Sequence, residues 1–252
     1  MITSQTHLDK DVKKLLANAY ASIRDQPPWC HPKSTDIVHH RVLPHATYSP
    51  WLLDESFQNI YKQIKDHTLV DIYRCYELWT LGQQLSNIQG NYLEVGVWKG
   101  GTGALLASSV QNIPNKHCFL ADTFQGVVKA GDEDTVYSGG EHSDTSPEIV
   151  TNLLNGLGLS NFSLLEGTFP DQTGSQFEGQ LALVHCDVDV YASAKAVVEW
   201  ALPKLSRGGA VIFDDYGFSG CEGITRLVNQ IRVNNEFLFI HNLNGHAILI
   251  KS

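Results

Sequence analysis

No apolar run in this chain approaches the roughly 20 residues that a membrane-spanning helix needs. The first residues, Met1-Ile-Thr-Ser-Gln-Thr-His-Leu-Asp9, hold no apolar signal-peptide core. A cytoplasmic location is the expectation. Paired cysteines are also missing. Cys30, Cys75, Cys118, Cys186 and Cys221 are scattered, odd in number and form no C-x-x-C. That argues against a disulfide framework or a thiolate zinc site. Cys118 and Cys186 fall inside apolar runs and read as core residues. Positive charge is scarce: 18 Lys and Arg face 27 Asp and Glu, a net charge of −9. Nucleic acid and anionic membrane are therefore poor main partners. Internal repeats and low-complexity segments are absent as well.

What remains is a chain of 252 residues, 42% hydrophobic, long enough for one large α/β domain plus an N-terminal extension. Residues 1–65 differ from the rest. Asp11 to Ile23 has helical spacing (Val12, Leu15, Leu16, Ala19, Tyr20). Asp25-Gln-Pro-Pro-Trp-Cys-His-Pro32 then breaks any helix. His31, His39, His40 and His45 fall in this loop-rich region, and their spacing matches no familiar metal pattern. Ser56 to Asp66 reads as a short helix. From Asp71 onward helix and strand signals alternate. Helices are expected at Asp71–Leu85, Gly103–Val110, Ser146–Leu157, Ala192–Leu205 and Gly220–Asn234. Strands are expected at Asn91–Val97, His117–Ala121, Phe162–Leu165, Ala182–Cys186, Ala210–Phe213, Phe237–His241 and His246–Lys251. Gly82 interrupts the apolar face of the first of these helices (Ile72, Cys75, Tyr76, Trp79). Such alternation implies a mostly parallel sheet covered on both faces, closed by one antiparallel strand. Ligands of open sheets bind outside the carboxyl ends of the strands.

Two apolar runs end in acids at such positions: Leu183-Val-His-Cys-Asp-Val-Asp-Val-Tyr191 and Ala210-Val-Ile-Phe-Asp-Asp-Tyr216. If the strands are neighbours, Asp187, Asp189, Asp214 and Asp215 converge. Like charges so crowded repel unless a cation lies between them, and an oxygen-loving divalent ion is the simplest choice. Ordinary helix capping and loop acids are the plainer alternative. Ala130-Gly-Asp-Glu-Asp134 is a second acidic run. It fails the calcium-loop pattern and is expected in a mobile loop over the site, with a purely solvated loop as the alternative.

A glycine-rich turn, Glu94-Val-Gly-Val-Trp-Lys-Gly-Gly-Thr-Gly103, joins the first sheet strand to its helix. It fits neither the phosphate loop nor the G-x-G-x-x-G fingerprint. Glu94 would repel a pyrophosphate and suits a positively charged ligand. Asp122 ends the next strand, where an acid can accept both hydroxyls of a ribose. Taken in order, these signals favour a nucleoside cofactor over a bare turn and a helix cap.

The stretches Tyr92–Gly101, Ala121–Gly126, Cys186–Tyr191 and Val211–Gly217 together resemble a Rossmann-like class I S-adenosylmethionine-dependent methyltransferase. More narrowly, they resemble the macrocin O-methyltransferase (TylF-like) family, which methylates hydroxyls of natural products, often on sugars. The resemblance covers residues 66–252. That portion would be the catalytic domain, and residues 1–65 would shape the acceptor pocket. It implies S-adenosylmethionine and Mg²⁺ as cofactors, a small hydroxylated acceptor and a possible homodimer. Asp187, Asp214 and Asp215 would be metal ligands, and Asp189 the general base. Thr68, Glu94, Gly96, Thr102, Asp122 and Thr123 would contact the cofactor, and Glu166 and Gly167 would flank its adenine. Val188 stands where relatives often carry glycine. A catechol-type methyltransferase or a non-catalytic cofactor-binding protein are the alternatives.

Overall fold

A computed structural model of the chain describes residues 10–43 and 46–252. Its residues divide into two compact units, with the boundary between Ser49 and Pro50. In the first unit, α1 (Lys10–Arg24) is followed by a small antiparallel hairpin of β1 (Trp29–His31) and β2 (Ser34–His39). The hairpin replaces the expected loop. Prolines at 27, 28 and 32 stop a helix but do not stop an edge strand, and Trp29 pairs with His39 across the turn. His40 bonds to the backbone of Gln26 and Arg41. None of the metal-capable clusters among the described residues includes His31, His39 or His40, and His45 lies outside the described residues.

The second unit begins with α2 (Glu55–Ile64), capped by Asp54, whose carboxylate accepts from the Phe57 N–H. The helix buries Phe57, Ile60 and Ile64 in the main core, so this segment belongs to the larger unit. Next comes α3 (Ile72–Gln84), started by Asp71, which accepts from the N–H groups of Tyr73 and Arg74. Gly82 does not end α3. It lies against α4 (Gly101–Ser109), where a Cβ would sit 2.3 Å from the Ser109 hydroxyl.

A seven-stranded sheet forms the centre: β3 (Asn91–Val95), β4 (Cys118–Asp122), β5 (Phe162–Glu166), β6 (Leu181–Cys186), β7 (Leu205–Tyr216), β8 (Phe237–His241) and β9 (Gly245–Lys251). Their order is β5-β4-β3-β6-β7-β9-β8, and β9 alone is antiparallel. Alternate residues feed two cores, as period-two side chains must. Tyr92, Leu183 and Ile212 pack with α2, α3, α4 and α5 (Pro147–Gly156). Leu93, Val184 and Val211 pack with α6 (Tyr191–Ala201) and α7 (Glu222–Ile231). Helix α6 ends at Ala201, short of the expected Leu205, because Pro203 follows in a tight 3-10 turn. Leu205 already pairs with Leu181, so β7 runs through Gly208 and Gly209 and is much longer than its apolar centre suggests. Strand order reverses between β3 and β6, which opens a crevice at their carboxyl ends.

Candidate functional site

That crevice is a cavity of about 220 Å³. One wall is the turn after β3. Gly96 and Gly100 hold positive φ there, as does Trp98 at 47°. Gly96 is obligatory: its Cβ would fall 1.6 Å from the Asp187 carbonyl oxygen. Asp122 braces the turn. Its Oδ2 accepts from the N–H groups of Val97 (2.7 Å) and Trp98 (2.8 Å), and its Oδ1 accepts from Phe124 N–H (2.7 Å). A carboxylate has about four lone-pair sites. Three are in use, so Asp122 has room for one further donor rather than both hydroxyls of a ribose.

Thr68, Gly96, Thr102, Asp122, Thr123 and Gly167 all line the cavity, together with Asp187, Asp189, Asp214 and Asp215. Glu94 and Glu166 do not. Glu94 is buried beneath the sheet, where register sets it beside His185, and its Oε1 lies 2.8 Å from His185 Nδ1. Its position at a strand end suggested an exposed carboxylate. The strand's alternation turns it inward toward α4 instead. Glu166 closes β5 with its side chain exposed, and only the following glycine reaches the cavity.

The other wall is acidic. Asp187 extends β6, its N–H bonded to the Val95 carbonyl. Asp189 is left-handed, at φ 63°. Asp215 is left-handed too, at φ 61°. Such conformations cost on the order of 1–3 kcal/mol each and concentrate at functional sites. Oxygens of Asp187, Asp214 and Asp215 lie within 4.8 Å of one another. Burial, then mutual repulsion, pushes the carboxyl pKa of Asp187 and Asp215 well above the ordinary range. Burial also raises Asp189, against the pull of a hydrogen bond from Tyr137.

Asp214 behaves oppositely. Burial pushes its pKa up, but the adjacent His246 and Arg74 outweigh that and hold it down to about 2. Arg74 Nη1 donates to both Asp214 oxygens, at 2.7 and 2.6 Å. His246 Nε2 lies 2.9 Å from Asp214 Oδ1, near enough for an ion pair though poorly aligned for a hydrogen bond. The His246 pKa is raised: Asp214 and Glu77 outweigh its burial.

The sequence reading missed Arg74, Tyr137 and His142, all of which line the cavity. Arg74 had a signal, since it sits among the apolar positions of an amphipathic helix. Tyr137 and His142 had none, because an irregular loop delivers them. Tyr137 Oη donates to Asp189 Oδ1 at 2.7 Å. The loop is tied down at several points. Asp134 caps α6 by accepting from Tyr191 N–H, the Thr135 hydroxyl donates to Glu222, and Glu133 pairs with Arg226. On its far side Asp144 accepts from Trp98 Nε1 and Lys99 Nζ.

The donor set fits a divalent cation. The crowded atoms are carboxylate oxygens, which suit Mg²⁺, Mn²⁺ or Ca²⁺. Asp187 pairs with no cation among the described residues, and burial keeps the nearby Cys221 thiol protonated.

An open sheet of this order, with a crevice where the strand order reverses, is a Rossmann-like fold. The structure of the O-methyltransferase NovP superposes with a TM-score of 0.66 at 24% identity, over 74% of this chain and 82% of that one. A calicheamicin methyltransferase gives 0.64 at 17% identity, over 97% and 94%. The chain belongs to the macrocin O-methyltransferase (TylF) family, whose model matches residues 65–242. Among relatives, a mycinamicin III 3''-O-methyltransferase of Micromonospora griseorubida is 30% identical over 62% of this chain and 67% of its own length. An 8-demethyl-8-(2,3-dimethoxy-alpha-L-rhamnosyl)-tetracenomycin-C 4'-O-methyltransferase of Streptomyces olivaceus is 28% identical over 62% of this chain. The match spans 64% of that relative.

Proposed function

We propose that this chain transfers a methyl group from S-adenosylmethionine to a hydroxyl of a small natural product, on a sugar moiety, with a divalent cation, Mg²⁺, held by the acid cluster. The convergence of Asp187, Asp189 and Asp215 on a cavity whose opposite wall is a glycine turn carries this reading. The sugar acceptor is supported by the rhamnosyl substrate named for the tetracenomycin relative. S-adenosylmethionine supplies a methyl group already activated on a sulfonium, so the protein's task is position and a better nucleophile. A bound divalent cation would lower the pKa of an acceptor hydroxyl, as metals do for bound water.

The chain's own residues would act as follows. Gly96, Thr102, Asp122, Thr123 and Gly167 seat the nucleoside, with Thr68 at the edge of the same cavity. Asp122 takes one ribose hydroxyl through its remaining lone pair. Asp189, left-handed and aimed by Tyr137, takes the acceptor's proton. Burial and the adjacent Asp189 raise the Tyr137 pKa, so its phenol donates and does not compete as a base. Val188 lines the same cavity and narrows the acceptor side.

Methyl transfer from labelled S-adenosylmethionine to deoxysugar glycosides and to catechols, with and without a chelator, tests the proposal. Transfer to the glycosides that stops in chelator and returns with Mg²⁺ is expected. Preference for catechols would overturn the acceptor class, and full activity in chelator would overturn the cation.

A further inference from the structure

We propose that Asp144 is a positioning residue: it clasps Trp98 and so couples the glycine turn after β3 to the loop that carries Tyr137 and His142. The inference rests on the cofactor reading above and concerns how the two sides of the cavity are held together. Trp98 lines the cavity in the left-handed region, at φ 47°, where a bulky side chain is strained. Such a conformation persists only where its surroundings over-determine it. Every polar atom of Trp98 is held. Its backbone N–H donates to Asp122 Oδ2 at 2.8 Å, and its carbonyl accepts from the Thr145 hydroxyl. Its Nε1 donates to Asp144 Oδ1 at 2.8 Å. Asp144 Oδ2 accepts from Lys99 Nζ at 2.6 Å, and that ammonium lies 4.3 Å from the centre of the indole. Asp122 belongs to β4, but Asp144 and Thr145 come from the loop.

The same loop meets the nucleoside side of the cavity at a second place. Gly140 N–H donates to the Val127 carbonyl at 2.9 Å, and Val127 N–H donates to the Glu141 carbonyl at 2.8 Å. Gly126 and Val127 line the cavity, and Gly126 passes so close that a Cβ would lie 2.3 Å from the Glu141 carbonyl oxygen. The loop also delivers Tyr137 to Asp189 and brings His142 to the cavity, the two rings 6.0 Å apart. A nucleoside seated against Gly96 and Asp122 fixes Trp98, Trp98 fixes Asp144, and Asp144 fixes the loop that aims the base. Binding on one side and order on the other are then linked, and such linkage is reciprocal. Asp144 itself is at the surface, its side chain 65% exposed. An exposed ion pair contributes little to stability, so the role of Asp144 shows in the coupling and not in the melting temperature.

Hydrogen exchange of the full chain with and without S-adenosylhomocysteine, beside calorimetry, tests the clasp. In wild type the ligand should slow exchange both at the turn, residues 96–103, and in the loop, residues 134–145. Asp144→Ala should melt with wild type yet bind S-adenosylhomocysteine about fivefold or more weakly, with protection kept at the turn and lost from the loop. Asp144→Asn keeps an oxygen for the indole N–H and should restore the loop's protection. Trp98→Phe cuts the same bond from the other side and should uncouple the loop as Asp144→Ala does. A loop that the ligand protects equally in wild type and in Asp144→Ala is held by direct contact, and that result overturns the inference. A wild-type loop indifferent to the bound ligand overturns it as well. Wild-type protein that binds no S-adenosylhomocysteine removes the cofactor reading itself, an outcome distinct from both.

Discussion

Replacing Gly96 by alanine should damage the fold and the site together, because one backbone contact serves both. The turn after β3 crosses β6 so closely that an alanine Cβ would sit 1.6 Å from the Asp187 carbonyl oxygen, where ordinary contact begins at 3.4 Å. A deficit of 1.8 Å cannot be absorbed by a side chain, since both partners are backbone. The strand ends must part, and Asp187 must move with them. Two costs add. Alanine at φ 93° pays the left-handed penalty of about 1–2 kcal/mol. Forced repacking of β3 against β6 costs about 1–3 kcal/mol more. The total, about 2–5 kcal/mol, is a large part of a net stability on the order of 5–15 kcal/mol. Urea denaturation should show a midpoint lowered by about 1–2 M. A shift of the reacting groups by about 1 Å costs on the order of 100-fold in rate, so methyl transfer should fall at least that far in whatever protein remains folded. A Gly96→Ala protein with the wild-type midpoint and wild-type affinity for S-adenosylmethionine would refute this account of the crossing.

Tyr137→Phe removes the donor that aims Asp189, and kcat should fall about tenfold or more with cofactor affinity unchanged; equal kcat in steady-state assays would show that the phenol does nothing for the base. Asp122→Ala frees three backbone N–H groups at the glycine turn and just after β4, so calorimetry should show S-adenosylmethionine binding weakened by about 10–100-fold; wild-type affinity would contradict a bracing role. Asp187 and Asp215 have raised pKa values, so the metal-free folded chain binds more protons than the unfolded one above the ordinary carboxylate value. Its stability should therefore fall as pH rises through that window. Asp214, held down to about 2, has the opposite sign: it stabilises above the ordinary value, and that contribution is lost only as pH falls through about 2. Thermal melts in chelator from about pH 4 to about pH 8 should show Tm falling and Mg²⁺ restoring it most at the alkaline end; melts indifferent to Mg²⁺ there would contradict a strained acid cluster.

The sheet was legible because its strands are buried on both faces and read as short apolar runs between glycines and helical periods. Boundaries failed where backbone chemistry overrode pattern. Pro203 ended α6 early, and β7 began at Leu205, ahead of its glycines and of the expected start at Ala210. The acid cluster was legible from strand ends alone, and all four aspartates reach the same cavity. What each carboxylate faces was not legible. Glu94 turned inward because alternation along β3 decides its side, and a strand-end position does not reveal that phase. Asp214 met Arg74 across 140 residues of sequence, a pairing that no local pattern encodes. Tyr137 arrives on a loop whose anchors, Asp134 to α6 and Asp144 to the glycine turn, are likewise long-range.

The most direct test of the whole account is a crystal structure of the chain with S-adenosylhomocysteine and Mn²⁺. The nucleoside should lie against Gly96 and Asp122, and an anomalous peak should lie within bonding distance of Asp187 and Asp215, close to where the cofactor's methyl group would point. A cavity that binds the nucleoside with no ion at the acid cluster, or an ion with the nucleoside elsewhere, would contradict it.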